Sequence, residues 1–175
     1  MDEDNNQLNE DIQVSIVNND DNNSHKVELQ RDGWNLIAIC RDINTSDIDM
    51  TNIQEIQAQN GDSVYTGEWA NYSNLDRLEA GYGYWVKGDR GTRFDVGITN
   101  TTLTVPLKRD SWNLMASCSE RATDLLDMTN ITEIQAQNGD SLYTGDWAEY
   151  STLDTLLNGY GYWVRGDKES LFNVN

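Results

Sequence analysis

Met50–Tyr72 reads MTNIQEIQAQNGDSVYTGEWANY and Met128–Tyr150 reads MTNITEIQAQNGDSLYTGDWAEY, identical at 19 of 23 positions. The offset of 78 residues holds without a gap from Trp34/Trp112 to Phe94/Phe172. The chain is therefore a tandem duplication, with copies at 25–101 and 102–175 behind an N-terminal segment, 1–24. Two copies are too few for an open solenoid, so each forms a domain or the two share a core. The connection 97–102 is short and lacks a flexible or Pro-rich linker composition, which predicts that the copies pack against each other.

Within each copy the patterns are those of short strands. His25–Leu29 and Leu103–Leu107 match, and Pro106 marks an edge or a strand end because it has no N–H to donate. Trp34–Cys40 and Trp112–Cys118 follow; both faces are apolar in the first copy, which predicts an inner strand. Asp47–Ile56 and Asp124–Ile134 suggest a short helix or 3₁₀ turn leading into a strand. Gln54–Gln59 and Thr132–Gln137 then end at Asn-Gly, a strong hairpin signal, with return strands expected at Ser63–Trp69 and Ser141–Trp147. Ser73–Asp76 and Ser151–Asp154 fit a capping box opening one helical turn. Gly81–Val86 and Gly159–Val164 alternate as strands in which Gly83 lets a neighbour sit close, and Thr92–Val96 and Leu171–Val174 close each copy. The predicted fold is mainly β: two pseudo-symmetric packed repeats of short antiparallel strands with short helical turns. Residues 1–10 are acidic and Asn-rich and predict disorder; 11–17 alternate enough for one strand.

Six Trp and eight Tyr stand against two Phe. Each ring is able to bury roughly 150–250 Å², enough to supplement a core with few aliphatic layers. With 30 acidic and 12 basic residues the formal charge is -18, which disfavours nucleic acid and anionic membrane surfaces. No apolar run is long enough to span a bilayer, so no membrane insertion is expected, and the first residues show no Sec signal pattern. Cys40 and Cys118 lie one period apart and fit either two buried thiols or one disulfide between the copies.

No catalytic constellation emerges, and a non-enzyme without cofactor or metal is expected. His25, the one histidine, has no second ligand at zinc spacing. The acids Asp62/Asp140, Glu68/Asp146, Asp76/Asp154 and Asp89/Asp167 recur in turns or caps, where carboxylates bond backbone. Ser63 and Ser141 follow NGD and are not nucleophile elbows. The loop 18–24 lacks the ligand spacing of an EF-hand, which leaves calcium at the acidic loops open. The aromatics are the serious functional candidates. Tyr65, Trp69 and Tyr72, repeated as Tyr143, Trp147 and Tyr150, are the expected ligand-binding set; Trp34, Trp85, Trp112 and Trp163, expected in the core, form with Cys40 and Cys118 the expected structural set. Flat rings hold sugar faces while amides and carboxylates bond the hydroxyls, and the same rings serve as anchors in protein interfaces.

Gly33-Trp34-Asn35-Leu36, the middle from Ile53 to Trp69, and Gly81–Lys87 together resemble the small β-rich "GWNL…GYWV" modules found, often in tandem, in secreted and cell-surface proteins of bacteria. The likeness covers nearly all of 25–175 and implies an extracellular or surface-attached, non-enzymatic accessory module. The chain departs from it where Ser111 replaces the Gly before Trp112, in the Cys after each WNL strand, and in showing no signal peptide, which leaves room for a virion or appendage protein. The expected function is thus a binding or adhesion module of a cell-surface, extracellular or virion structure with a glycan as ligand; the alternative is an assembly domain that docks on another protein.

Overall fold

The computed structural model describes residues 24–175. The strand expected at 11–17 and the disorder expected at 1–10 lie outside them. The first copy contains β1 (Lys26–Glu28), β2 (Gly33–Ala38), β3 (Ile43–Asn44), β4 (Ile53–Gln57), β5 (Ser63–Tyr65), β6 (Arg77–Leu78), β7 (Gly83–Gly88) and β8 (Arg93–Asp95). The second repeats it as β9 (Thr104–Pro106), β10 (Ser111–Ala116), β11 (Arg121–Ala122), β12 (Ile131–Gln135), β13 (Ser141–Tyr143), β14 (Thr155–Leu156), β15 (Gly161–Gly166) and β16 (Leu171–Asn173). Each copy has a four-stranded antiparallel sheet, ordered β2-β7-β4-β5 or β10-β15-β12-β13, and two two-stranded pairs, β1-β8 and β3-β6 or β9-β16 and β11-β14. The protein is mainly β, as the sequence patterns predict. Pro106 closes β9 opposite Leu171, where a missing N–H is harmless.

Strand alternation separates two faces. On one face Ile37 of β2 stands opposite Tyr84 of β7 and Val86 of β7 opposite Ile56 of β4, all buried, together with Phe94 from β8 and Leu78 from β6. The opposite face carries Trp34, Lys87, Glu55 and Tyr65 in one cross-strand row and Leu36, Trp85, Gln57 and Ser63 in the next. Turn chemistry fixes the strand ends. Asn35, buried, accepts the N–H of Gln30 (2.9 Å) and of Arg31 (3.2 Å) on Oδ1 and donates Nδ2 to the carbonyls of Arg31 and Gly33 (both 3.0 Å), and Asn113 does the same in the second copy. At the Asn60-Gly61 hairpin only the glycine takes positive φ, +93°, so the loop is a turn closed by Gly61 N–H on Ala58 C=O at 3.0 Å.

The copies share one hydrophobic cluster, containing Ile37, Val86 and Leu78 of the first and Met115, Val164 and Leu156 of the second. β2 is an edge strand of its own sheet, not the inner strand its apolar faces suggest, because the other copy covers that edge. Ala38 N–H donates to Gly159 C=O (3.1 Å) and Ala116 N–H to Gly81 C=O (3.0 Å). Gln137 completes the edge: its Oε1 accepts Leu36 N–H (2.9 Å) and its Nε2 donates to Trp34 C=O (2.8 Å), so one side-chain amide stands in for a strand residue. Gln59 makes the same pair with Leu114 N–H (2.9 Å) and Trp112 C=O (2.8 Å). Between these interlocks the two sheets touch where Gly83 meets Gly161; a Cβ on Gly83 would lie 3.5 Å from the Gly161 Cα and 3.2 Å from Met115 C=O. Of the two readings open for the cysteines the disulfide is observed, joining Cys40 to Cys118 with Cα atoms 5.6 Å apart.

Several expectations are corrected. The return strands stop at Tyr65 and Tyr143, and the residues after them form 3₁₀ turns at Gly67–Tyr72 and Gly145–Tyr150. Ser73–Asp76 opens no helix: Ser73 Oγ accepts the N–H of Tyr65 (3.0 Å), so it closes the preceding loop, and Leu78 reaches the core from a strand. The turns expected near 47 and 124 form at Thr45–Asp47 and Thr123–Leu125, and Leu125 is exposed. Trp34, Trp85, Trp112 and Trp163 are half-buried and lie outside the core, because alternation sets them on the face opposite Ile37 and Val86.

Candidate functional site

The excursion from Tyr65 to Ser73 begins where Thr66 N–H bonds Gln54 C=O (3.1 Å) and its Oγ1 bonds Ile53 C=O (3.1 Å). It ends where Asn74 and Leu75 both donate to Ser63 C=O (2.9 and 3.1 Å). Anchored at both ends, the intervening 3₁₀ turn Gly67–Tyr72 buries none of its residues. In a 3₁₀ helix residues i and i+3 eclipse, which brings Trp69 and Tyr72 together. Their ring centroids are 5.7 Å apart at 46°, with Trp69 64% and Tyr72 69% exposed. The second copy builds the same pair from Trp147 and Tyr150, 5.6 Å apart at 48°, at 66% and 59% exposure. Glu68, Asn71, Asp146 and Glu149, on the same turns as the rings, are exposed hydrogen-bonding groups.

Tyr65 and Tyr143 are not part of these pairs. They are half-exposed at the far end of the sheet row that begins with Trp34 and Trp112. Lys87 Nζ lies 5.8 Å from the Trp34 ring and the Arg165 guanidinium 6.0 Å from the Trp112 ring, while Trp85 and Trp163 meet across the two copies at 6.4 Å. The six expected ligand residues thus divide into two exposed Trp–Tyr platforms and two separate sheet-face tyrosines.

A second kind of concavity escaped the sequence reading because it is made by both copies at once. Two clefts lie beside the glutamine interlocks. One, about 310 Å³, is bounded by Gln59, Asp62, Glu79, Tyr82 and Lys108; its counterpart, about 560 Å³, by Gln137, Asp140, Leu157, Tyr160 and Gln30. The identical QAQNGDS segments were the signal, but nothing in their order says that Gln59 and Gln137 reach the other copy. Burial pushes the Tyr84 hydroxyl, at the floor of the first cleft, up to about 12, and raises that of Tyr162 in the second. Tyr84 accepts the N–H of Glu79 (2.8 Å) and Tyr162 that of Leu157 (2.7 Å).

Three of the repeated acids, Asp62, Asp140 and Asp89, accept hydrogen bonds from side-chain amides. Asp62 accepts Asn60 Nδ2 (2.6 Å) and Asn74 Nδ2 (2.9 Å), and Asp89 accepts Gln54 Nε2 (3.4 Å). Among the described residues no three His, Cys, Asp or Glu side chains are grouped to hold a metal ion, and no helix is long and apolar enough to cross a membrane. Comparison of the chain with protein-family models, curated proteins and solved structures finds no match.

Proposed function

We propose that the chain is a non-catalytic binding or adhesion module of a cell-surface, extracellular or virion structure, and that it holds glycans on its two Trp–Tyr platforms. The observation that carries this is the duplicated exposure of Trp69/Tyr72 and Trp147/Tyr150 on turns that bury nothing. Leaving rings of this size in water forgoes roughly 25 cal/mol for each Å² not covered, an arrangement suited to covering by a ligand. Tilted rings with carboxylates and an amide on the same turns match the apolar face and hydroxyl edge of a sugar. Two copies on one rigid body raise avidity when a ligand carries two epitopes. The inter-copy disulfide suits an oxidising, extracellular setting.

A glycan array on the purified protein tests this, alongside light scattering for mass. Array binding by a monomer that Trp69→Ala/Trp147→Ala weakens at least tenfold, with circular dichroism unchanged, is the expected outcome; no binding by any glycan, or binding that the variant leaves unchanged, would refute it. An assembly role is favoured by a different observation. Leu125 and Leu171, 79% and 62% exposed, stand where the first copy has Asp47 and Arg93, so the second copy presents apolar groups at positions charged in the first. A concentration-dependent dimer lost on Leu125→Asp/Leu171→Arg supports that reading.

A further inference from the structure

The two clefts between the copies are equivalent by duplication but not in content. In the smaller one Lys108 Nζ pairs with Glu79 (2.6 Å) while lying 3.9 Å from the Tyr82 ring centroid, so an ion pair straps the ring face. In the larger one the same positions are Gln30 and Leu157. Gln30 turns away to the edge of the ring, donating Nε2 to Tyr160 Oη (2.9 Å), and among the described residues no cation covers Tyr160. A second pair of differences acts the same way. In the smaller cleft Asn74 occupies Asp62 Oδ1 and Asn60 occupies Oδ2. In the larger, Thr152 replaces Asn74, and Asp140 keeps only the bond from Asn138 Nδ2 to Oδ2 (2.7 Å), so Oδ1 is without a donor among the described residues. Tyr162, 3% exposed, lines this cleft and accepts from Leu157 N–H, but its own hydroxyl proton has no acceptor among the described residues.

We infer that the larger cleft is a binding site for one neutral saccharide unit, and that its twin is blocked by the Lys108–Glu79 strap. Its volume, about 560 Å³, falls in the range of preformed small-ligand sites. The uncovered Tyr160 ring and Leu157, 47% exposed, offer an apolar wall for the CH face of a sugar. Asp140 Oδ1 accepts a hydroxyl proton and Tyr162 Oη donates one to a ring or hydroxyl oxygen. Anionic sugars are disfavoured because Asp140 and Asp154 line the space against a single cation, Arg31, which leaves its wall net negative. Neither platform loop contributes to the cleft, so this inference is independent of the platform reading.

The test is a titration of the ¹⁵N-labelled protein with the neutral methyl glycosides of glucose, galactose, mannose and N-acetylglucosamine, followed by amide shifts. At least one glycoside is expected to move the amides of Gln30–Arg31, Ala136–Asp140 and Leu157–Tyr160, leaving those of Ala58–Asp62 in place. Gln30→Lys/Leu157→Glu, which writes the strap into the larger cleft at two exposed positions, is expected to weaken binding at least tenfold. The reverse exchange, Lys108→Gln/Glu79→Leu, is expected to bring the Ala58–Asp62 amides into the response. No shift with any of the four glycosides overturns the inference, as does binding that survives the added strap. Trp69→Ala/Trp147→Ala separates the two proposals, because cleft shifts should persist in that variant whether or not the platforms bind glycans.

Discussion

Replacing Gln137 by Ala removes the one side chain that finishes the free edge of β2. Two hydrogen bonds of 2.8–2.9 Å are lost, each contributing about 1 kcal/mol net. Leu36 is 1% exposed, so its N–H is left without a protein partner at the wall of the larger cleft, which costs about another 1–2 kcal/mol. A loss of roughly 3–4 kcal/mol follows for the single variant, lowering the melting temperature by about 6–16 °C for a domain of this size. Gln59→Ala should cost a similar amount, and the double variant about the sum, since the two interlocks share no residue. Urea unfolding at equilibrium measures the loss, and amide exchange at Leu36 localises it. Two controls sharpen the result. Gln137→Asn keeps the amide but falls one methylene short, and should recover little. Gln57→Ala removes a half-buried amide with no hydrogen bond among the described residues and should change stability by less than about 0.5 kcal/mol. A Gln137→Ala loss below about 0.5 kcal/mol, with Leu36 still protected, would refute the reasoning.

Cys40→Ala/Cys118→Ala opens a covalent loop of 78 residues and is expected to destabilise by about 4–5 kcal/mol on the loop-entropy relation, read as a lower urea midpoint. Ser111 and Glu169 adopt φ of +140° and +68° where the first copy has Gly33 and Gly91, so Ser111→Gly and Glu169→Gly should each stabilise by roughly 0.5–1.5 kcal/mol in the same assay. Burial raises the Tyr84 hydroxyl to about 12, so the fold favours its protonated form. Its contribution is fully present below the unfolded value of about 10 and is lost as pH rises through 12, at about 1.4 kcal/mol per unit. Tyr84→Phe should therefore flatten the fall in stability between these limits, and an unchanged alkaline limb would refute the assignment.

The period and the strands were legible because local rules set them. Alternation marked Ile37 and Val86, Asn-Gly marked the hairpins, and Pro106 marked a strand end. The tryptophans misled because size was read as burial. Trp34 and Trp85 share a face with Leu36, but the second copy closes over it fully only at Leu36, Ala38 and Gly83; it meets Trp85 through the Trp163 ring and leaves it half-buried. The platforms were half legible: the sequence puts Trp69 and Tyr72 in one set but carries the return strand to Trp69, and no local signal announces the 3₁₀ turn at Gly67–Tyr72 that sets i beside i+3. Tyr65 was grouped with them by proximity along the chain, although the strand ends there and turns it onto the sheet. The glutamines were illegible because a polar side chain mimicking a strand residue leaves no periodicity; only the folded arrangement shows what it pairs with.

The reciprocal glutamine exchange also fixes a number. Each copy gives one amide and receives one, a self-complementary contact that two partners saturate completely. A third copy inserted between 101 and 102 would find no vacant edge and would offer its own β2-equivalent strand to solvent. A copy expressed alone would present the same bare edge and should associate with its like. The contact is thereby closed at a pair: the halves are free to diverge, as the two clefts illustrate, whereas an odd copy has no partner for its edge.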